Sequence, residues 1–136
     1  MLPFAEAILS GLPPDTPGSI ILMHALPAEH YAAGPLVARR VPHTAAELSI
    51  LRSQADQYLE EVSKAVKGRC ISMEKHIAVG DPAAAITEAA SLFRADFIAM
   101  TTHGFSGFSR LFLGSVADRV LHTATTPLLL LKPVQS

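Results

Sequence analysis

The sequence predicts an α/β domain, an open parallel sheet with helices on both faces, forming a single unit over residues 1–136. Three observations carry that expectation. Short apolar runs alternate with longer segments of helical period, the pattern of strands joined by crossover helices. One run, Ser19 to Leu26, is continuously apolar apart from His24, as in a strand covered on both faces. At 136 residues, 49% of them hydrophobic, the chain is also long enough to bury a core without disulfides.

In order, Phe4, Ile8 and Leu12 share one face of a helix over residues 4–12, which Pro13-Pro14-Asp15-Thr16-Pro17-Gly18 stops. Ser19 to Leu26 follows as a central, parallel strand. Residues 27–43 show no period and read as a long excursion, with Arg39-Arg40 in a solvated loop. Thr44 and Glu47 make a capping-box pattern, and Leu48, Leu51, Ala55, Leu59, Val62 and Val66 sustain the longest helix up to Gly68. Cys70 to Val79 is a strand of mixed polarity, in a less buried place. Asp81 as N-cap and Pro82 at the first helical position open a helix with Ile86, Ala89, Ala90 and Phe93 on one face. Asp96 to Met100 is a strand, and Pro127 to Leu131 a last one, closed by Lys132-Pro133.

Between those two strands lies the stretch that carries chemistry. Thr101 to Ser115 places Gly104, Gly107 and Gly114 between a strand end and a helix start, where open N–H groups and the helix dipole favour an anion such as phosphate. Ser115 reads as the N-cap of the helix that follows, with Asp118 as its capping partner. By themselves such glycines serve equally well as a connection.

Composition excludes several classes. A net charge of −1 and 6% aromatic residues give no surface for nucleic acid. The one cysteine, Cys70, reads as a small buried residue in a reducing compartment, so a cytoplasmic location is expected. No apolar run reaches the roughly 18–20 residues of a membrane span, and Met1 to Glu6 lacks the basic start of a secretory signal. The six histidines, His24, His30, His43, His76, His103 and His122, show no helical i,i+4 pair and no zinc-ligand spacing, so no metal site is expected. His103, inside the loop, is the one placed to meet a phosphate. No acid, base and nucleophile constellation is present, and no catalytic residue is assigned.

Gly-Asp-Pro at 80–82, the strand Asp96 to Met100, Thr102-His103-Gly104, a nine-residue spacer, Gly114-Ser115-Val116 and the Pro127 strand together resemble the universal stress protein family. The resemblance spans roughly residues 19–136 and is most specific between 96 and 133. In the family signature a glycine, two residues, a glycine, nine residues and a third glycine precede Ser or Thr. Here Thr101 stands at the first glycine, while Gly104, Gly114 and Ser115 match.

The resemblance implies an adenine nucleotide alpha hydrolase-like sheet of strand order 3-2-1-4-5. It implies ATP or AMP as ligand, with Mg2+ accompanying ATP, in a stress-response module with at most slow ATP hydrolysis. Ala25 and Met100 would line the adenine pocket, Gly104, Gly114, Ser115 and Val116 would surround ribose and phosphates, and Thr101 and His103 would neighbour them. A homodimer is expected through Pro127 to Leu131, an edge in that order. The alternative is a dimeric interaction protein of the same fold that binds no nucleotide. One departure bears on both readings: the family's first strand, which ends in an adenine-contacting Asp, has no counterpart in this sequence. Its place would lie between Ser19–Leu26 and Asp96–Met100. Either those strands pair directly or a further strand, from an upstream segment or a neighbouring chain, fills the opening. The second is expected, with weakened ATP affinity.

Overall fold

A computed structural model describes residues 7–8, 11, 13, 15–32, 39–65, 71–101 and 114–131. In chain order they form β1 (Gly18–Leu26), β2 (Glu29–Ala32), β3 (Arg39–Pro42), α1 (Ala45–Lys64), β4 (Ile71–Val79), α2 (Pro82–Leu92), β5 (Ile98–Thr101), α3 (Ser115–Thr123) and β6 (Leu128–Leu131). Before them, Ala7 and Ile8 are helical and Gly11 donates back to Ala7 and Ile8. The rest of the helix expected over 4–12, with Phe4 and Leu12, lies outside the described residues, as do Cys70 and Lys132-Pro133.

The strands pair as three ladders. β1 and β4 run parallel in unbroken register, from Gly18 beside Ile71 to Leu26 beside Val79. β5 and β6 run parallel from Ile98 beside Leu128 to Thr101 beside Leu131. β2 and β3 form an antiparallel hairpin. Strands alternating with helices and paired in parallel are the α/β architecture that the sequence implies.

Side-chain alternation places the helices. His24 of β1 meets Tyr58 of α1 edge-on, and Lys75 of β4 pairs with Asp56 and Glu60 of the same helix. His76, the next residue along β4, instead meets Phe93 at the end of α2. Adjacent strand residues point to opposite faces, so α1 and α2 cover opposite sides of the β1–β4 ladder. Leu22 and Leu26 of β1 are buried with Ala55 and Leu59 of α1. α3 packs on α2, where the buried residues are small: Ala83, Ala85, Ala89 and Ala90 on α2, Ala117 and Val120 on α3. Missing bulk lets the helix backbones approach closely.

Local chemistry sets the ends. Thr44 caps α1 through its hydroxyl while the Glu47 carboxylate accepts from the Thr44 N–H at 2.7 Å, the reciprocal box read from sequence. α1 ends at Lys64 with Ala65 as C-cap, short of the expected Gly68, which is outside the described residues. Asp81 caps α2 by accepting from the Ala84 N–H at 3.0 Å, and Pro82 stands at its first position. At the other end Arg94 takes a φ of 50°. Ala95 N–H then reaches the Ala90 carbonyl and Arg94 N–H the Ser91 carbonyl, the paired bonds of a Schellman motif.

One expectation is corrected, and one of two alternatives is set aside. The excursion over 27–43 contains the β2–β3 hairpin, with His30 beside Val41 and Tyr31 beside Arg40. Each strand holds only four residues, too few for alternation to register as a period. The opening beside β1 is not closed by direct pairing: among the described residues β1 and β5 belong to separate ladders. Among the described residues, too, no helix is long and apolar enough to cross a membrane.

Candidate functional site

The carboxyl ends of β1 and β4 converge on Gly80. Its N–H donates to the Leu26 carbonyl at 2.9 Å, closing the ladder, and its φ of 135° is one that side chains resist. A Cβ at Gly80 would meet no atom within 4 Å, so conformation rather than space selects glycine here. This turn swings Asp81 out at the head of α2. One Asp81 oxygen caps that helix, and the other accepts from the Arg119 guanidinium of α3. The Arg119 hydrogen bond, then the Ala84 N–H, hold the Asp81 carboxyl below its ordinary range.

Beside this turn lies a cavity of about 440 Å³, lined by Ala25, Gly80 and Asp81 from the ladder ends and by His30, Tyr31 and Arg40 from the hairpin. Arg40 Nε donates to the Tyr31 hydroxyl at 3.3 Å, and its guanidinium sits 5.6 Å from that ring centre, so the hairpin wall is braced from within. A larger groove of about 770 Å³ runs between β4, α2 and Thr123–Thr126, but it holds none of the expected site residues. The smaller cavity stands where parallel α/β sheets bind ligands, outside the carboxyl ends of their strands.

The sequence-derived residues divide into three groups. Ala25 is half-buried, beside Ala78, and lines the cavity. Met100 and Thr101 end β5, half-buried beside Leu130 and Leu131, and Gly114, Ser115 and Val116 begin α3. None of these five lines the cavity that holds Ala25. His103, Gly104 and Gly107 lie outside the described residues.

The start of α3 differs from its sequence reading. Gly114, not Ser115, is the N-cap, with φ −59° and ψ 150°, angles open to any residue. Gly114 therefore contributes the absence of a side chain, not an unusual backbone. No side-chain cap bond forms there. The first helical bond runs from Asp118 N–H to the Gly114 carbonyl, so the N–H groups of Ser115, Val116 and Ala117 have no helical acceptor. Asp118 is not their capping partner; its carboxylate faces His122 one turn on, at 3.8 Å.

The family model for the universal stress protein family matches residues 14–132. The chain belongs to the universal stress protein family. It is 35% identical over 83 residues to universal stress protein MJ0531 of Methanocaldococcus jannaschii, a match covering 61% of this chain and 49% of that one. It is 28% identical over 71 residues to universal stress protein Sll1388 of Synechocystis, covering 52% and 46%. The matched stretches thus span about half the length of these curated relatives.

Its fold is shared by the hypothetical protein MJ0577, with a TM-score of 0.69 and 20% identity over 98% of this chain and 89% of that one. A universal stress protein from Archaeoglobus fulgidus gives 0.60 and 21%, over 95% and 84%. Membership supports a role in the response to stress.

The hairpin residues around the cavity escaped sequence reading. Their one signal was the presence of a strand-favouring residue in each short segment, Tyr31 in the first and Val41 in the second.

Proposed function

We propose that this universal stress protein is a regulatory module that binds an adenine nucleotide, ATP or AMP, outside the carboxyl ends of β1 and β5, with its phosphates at the head of α3. The observation that carries this reading is the uncapped first turn of α3. Three N–H groups without helical acceptors follow a glycine that leaves room for an anion. Ala25 and the cavity beside it supply an apolar edge for a base, as expected of the adenine pocket. Mg2+ would accompany ATP through the phosphates. No acid–base pair is assigned, so turnover is at most slow.

Mass spectrometry of small molecules released from the purified protein tests this directly, and calorimetry with ATP and AMP follows. Gly114→Val, allowed by the backbone angles, should lower nucleotide affinity at least tenfold with unchanged circular dichroism. Equal affinity in the variant would refute the site.

The second reading is a dimeric interaction protein that binds no nucleotide. Thr101, in place of the first signature glycine, and the half-buried leucines of β6 favour it. Dimerisation through β6 is proposed under both readings, in a reducing, cytoplasmic setting that a single cysteine fits.

A further inference from the structure

Three side chains from different elements meet beside the hairpin. His30 comes from β2, His43 follows β3, and Glu47 lies in the first turn of α1. One potential ligand atom from each lies within 4.8 Å of the other two. The two imidazole rings stand 4.6 Å apart, centre to centre, tilted by 32°, and His43 Nδ1 is 3.8 Å from Glu47 Oε2.

Packing strips both imidazoles of water at the same atom. Nδ1 of His30 and Nδ1 of His43 are buried without a hydrogen-bond partner among the described residues. Buried polar atoms are almost always satisfied, so two orphaned nitrogens facing one carboxylate call for a common partner. No hydrogen bond joins the two nitrogens, so a proton on one leaves the other unpaired. A divalent cation serves both, because each neutral imidazole offers an Nδ1 lone pair while Nε2 keeps the proton.

We propose that His30, His43 and Glu47 form a binding site for a divalent transition-metal ion of the zinc class. Two imidazoles and a carboxylate are a known zinc donor set that leaves coordination positions open. Ligand distances of about 2.0–2.2 Å place donor atoms roughly 3.0–3.5 Å apart, so the cluster closes by about 1–2 Å on binding. Glu47 is already oriented for the role. Its Oε2 accepts from the Thr44 N–H at 2.7 Å and the Thr44 hydroxyl at 2.9 Å, the outer-shell support that ligating carboxylates require. Those bonds, the backbone one first, keep its carboxyl ionised at lower pH than usual.

The metal would staple the hairpin to the head of α1. His30 also lines the cavity at the ladder ends, so the staple fixes one wall of that cavity. The site stands whether or not nucleotide binds: His30 shares a cavity wall with Ala25, but the three ligands meet one another without any other group of that cavity.

The test uses the full chain, freed of any histidine tag, stripped by chelator and kept without nucleotide. Zn2+ is titrated calorimetrically and Co2+ by absorption. One Zn2+ per chain is expected, with a cobalt spectrum lacking thiolate charge transfer. His30→Gln and His43→Gln should each weaken Zn2+ binding at least tenfold. Glu47→Gln, which can still accept the cap bonds, should also weaken it. His122→Gln, on α3, should leave it unchanged. A wild type that binds no Zn2+, or equal affinity in the His30 and His43 variants, overturns the site. Should those variants fail to fold, amide exchange of the wild type decides. Zn2+ must slow exchange across residues 28–32 and 39–48, and protection confined elsewhere refutes the proposal.

Discussion

Arg119 of α3 reaches across to Asp81, the N-cap of α2, and donates to the carboxylate oxygen that the cap leaves over. One side chain thereby serves as helix cap and interhelical partner, at the edge of the cavity where β1 and β4 end. The Gly-Asp-Pro turn and the helix that follows the glycine loop are coupled through this contact.

Two substitutions separate the roles of Asp81. Asn is itself a good N-cap, so Asp81→Asn should lose only the charge pairing, whereas Asp81→Ala loses both. Thermal unfolding should rank wild type above Asp81→Asn above Asp81→Ala at pH 7. The folded-state pKa of Asp81 is depressed, so its contribution is present above the unfolded value near 3.8 and is lost as pH falls through the lower folded value. The gap between wild type and Asp81→Asn should therefore shrink below pH of about 4. A gap that is constant down to pH of about 2 would remove the ionised carboxylate from the explanation.

Arg94 closes α2 at φ 50°, a region where L side chains are strained and glycine is not. Its backbone bonds to Ser91 and the neighbouring Ala95 bond to Ala90 need the conformation, not the side chain. Arg94→Gly should stabilise the fold by about 1 kcal/mol, raising Tm by roughly 3–5 °C. An unchanged or lower Tm would show that the guanidinium contributes something the backbone geometry does not.

Local signals made much of this fold legible in the sequence. Thr44 with Glu47, and Asp81 with Pro82, announce helix starts by bonds that span only three residues, and each forms as read. The apolar run at 19–26 announces β1 because both faces are covered by helices. What stayed hidden depends on distance or on single positions. The hairpin strands are too short to show a period, and the gathering of His30 with His43 is created only when β2 folds back on β3. The His43 and Glu47 spacing of four was visible, but it straddles the helix start, where a search for helical pairs does not look. Ser115 was read as a cap by residue type alone, and the helix begins one residue earlier in cap geometry. Of the nucleotide residues, Ala25 came from the family resemblance and lines a cavity at the ladder ends, while His103 and Gly104 are beyond the described residues.

β6 presents Leu128 to Leu131, all half-buried, with β5 as its one strand partner among the described residues. A four-leucine strand with an open edge invites pairing with a second copy. Sedimentation at micromolar concentration should give a dimer, and Leu129→Lys should shift it toward monomer. A wild type that sediments as monomer would sink the dimer proposal.

The opening beside β1 makes a prediction about amide exchange. Alternate N–H groups along a central parallel strand point to one neighbour and then the other. In β1, one set bonds to β4 over a nine-residue ladder flanked by helices, and the other set faces away from it, with β5 held in a separate ladder. Exchange along β1 in the 136-residue chain should therefore alternate between slow and fast amides. The β5–β6 ladder, four residues long, should exchange faster than the protected set, because short ladders open locally at lower cost. Uniformly slow exchange along β1 would mean that its second edge is paired in solution. A change from alternating to uniform protection as concentration rises would identify the added strand as belonging to a neighbouring copy.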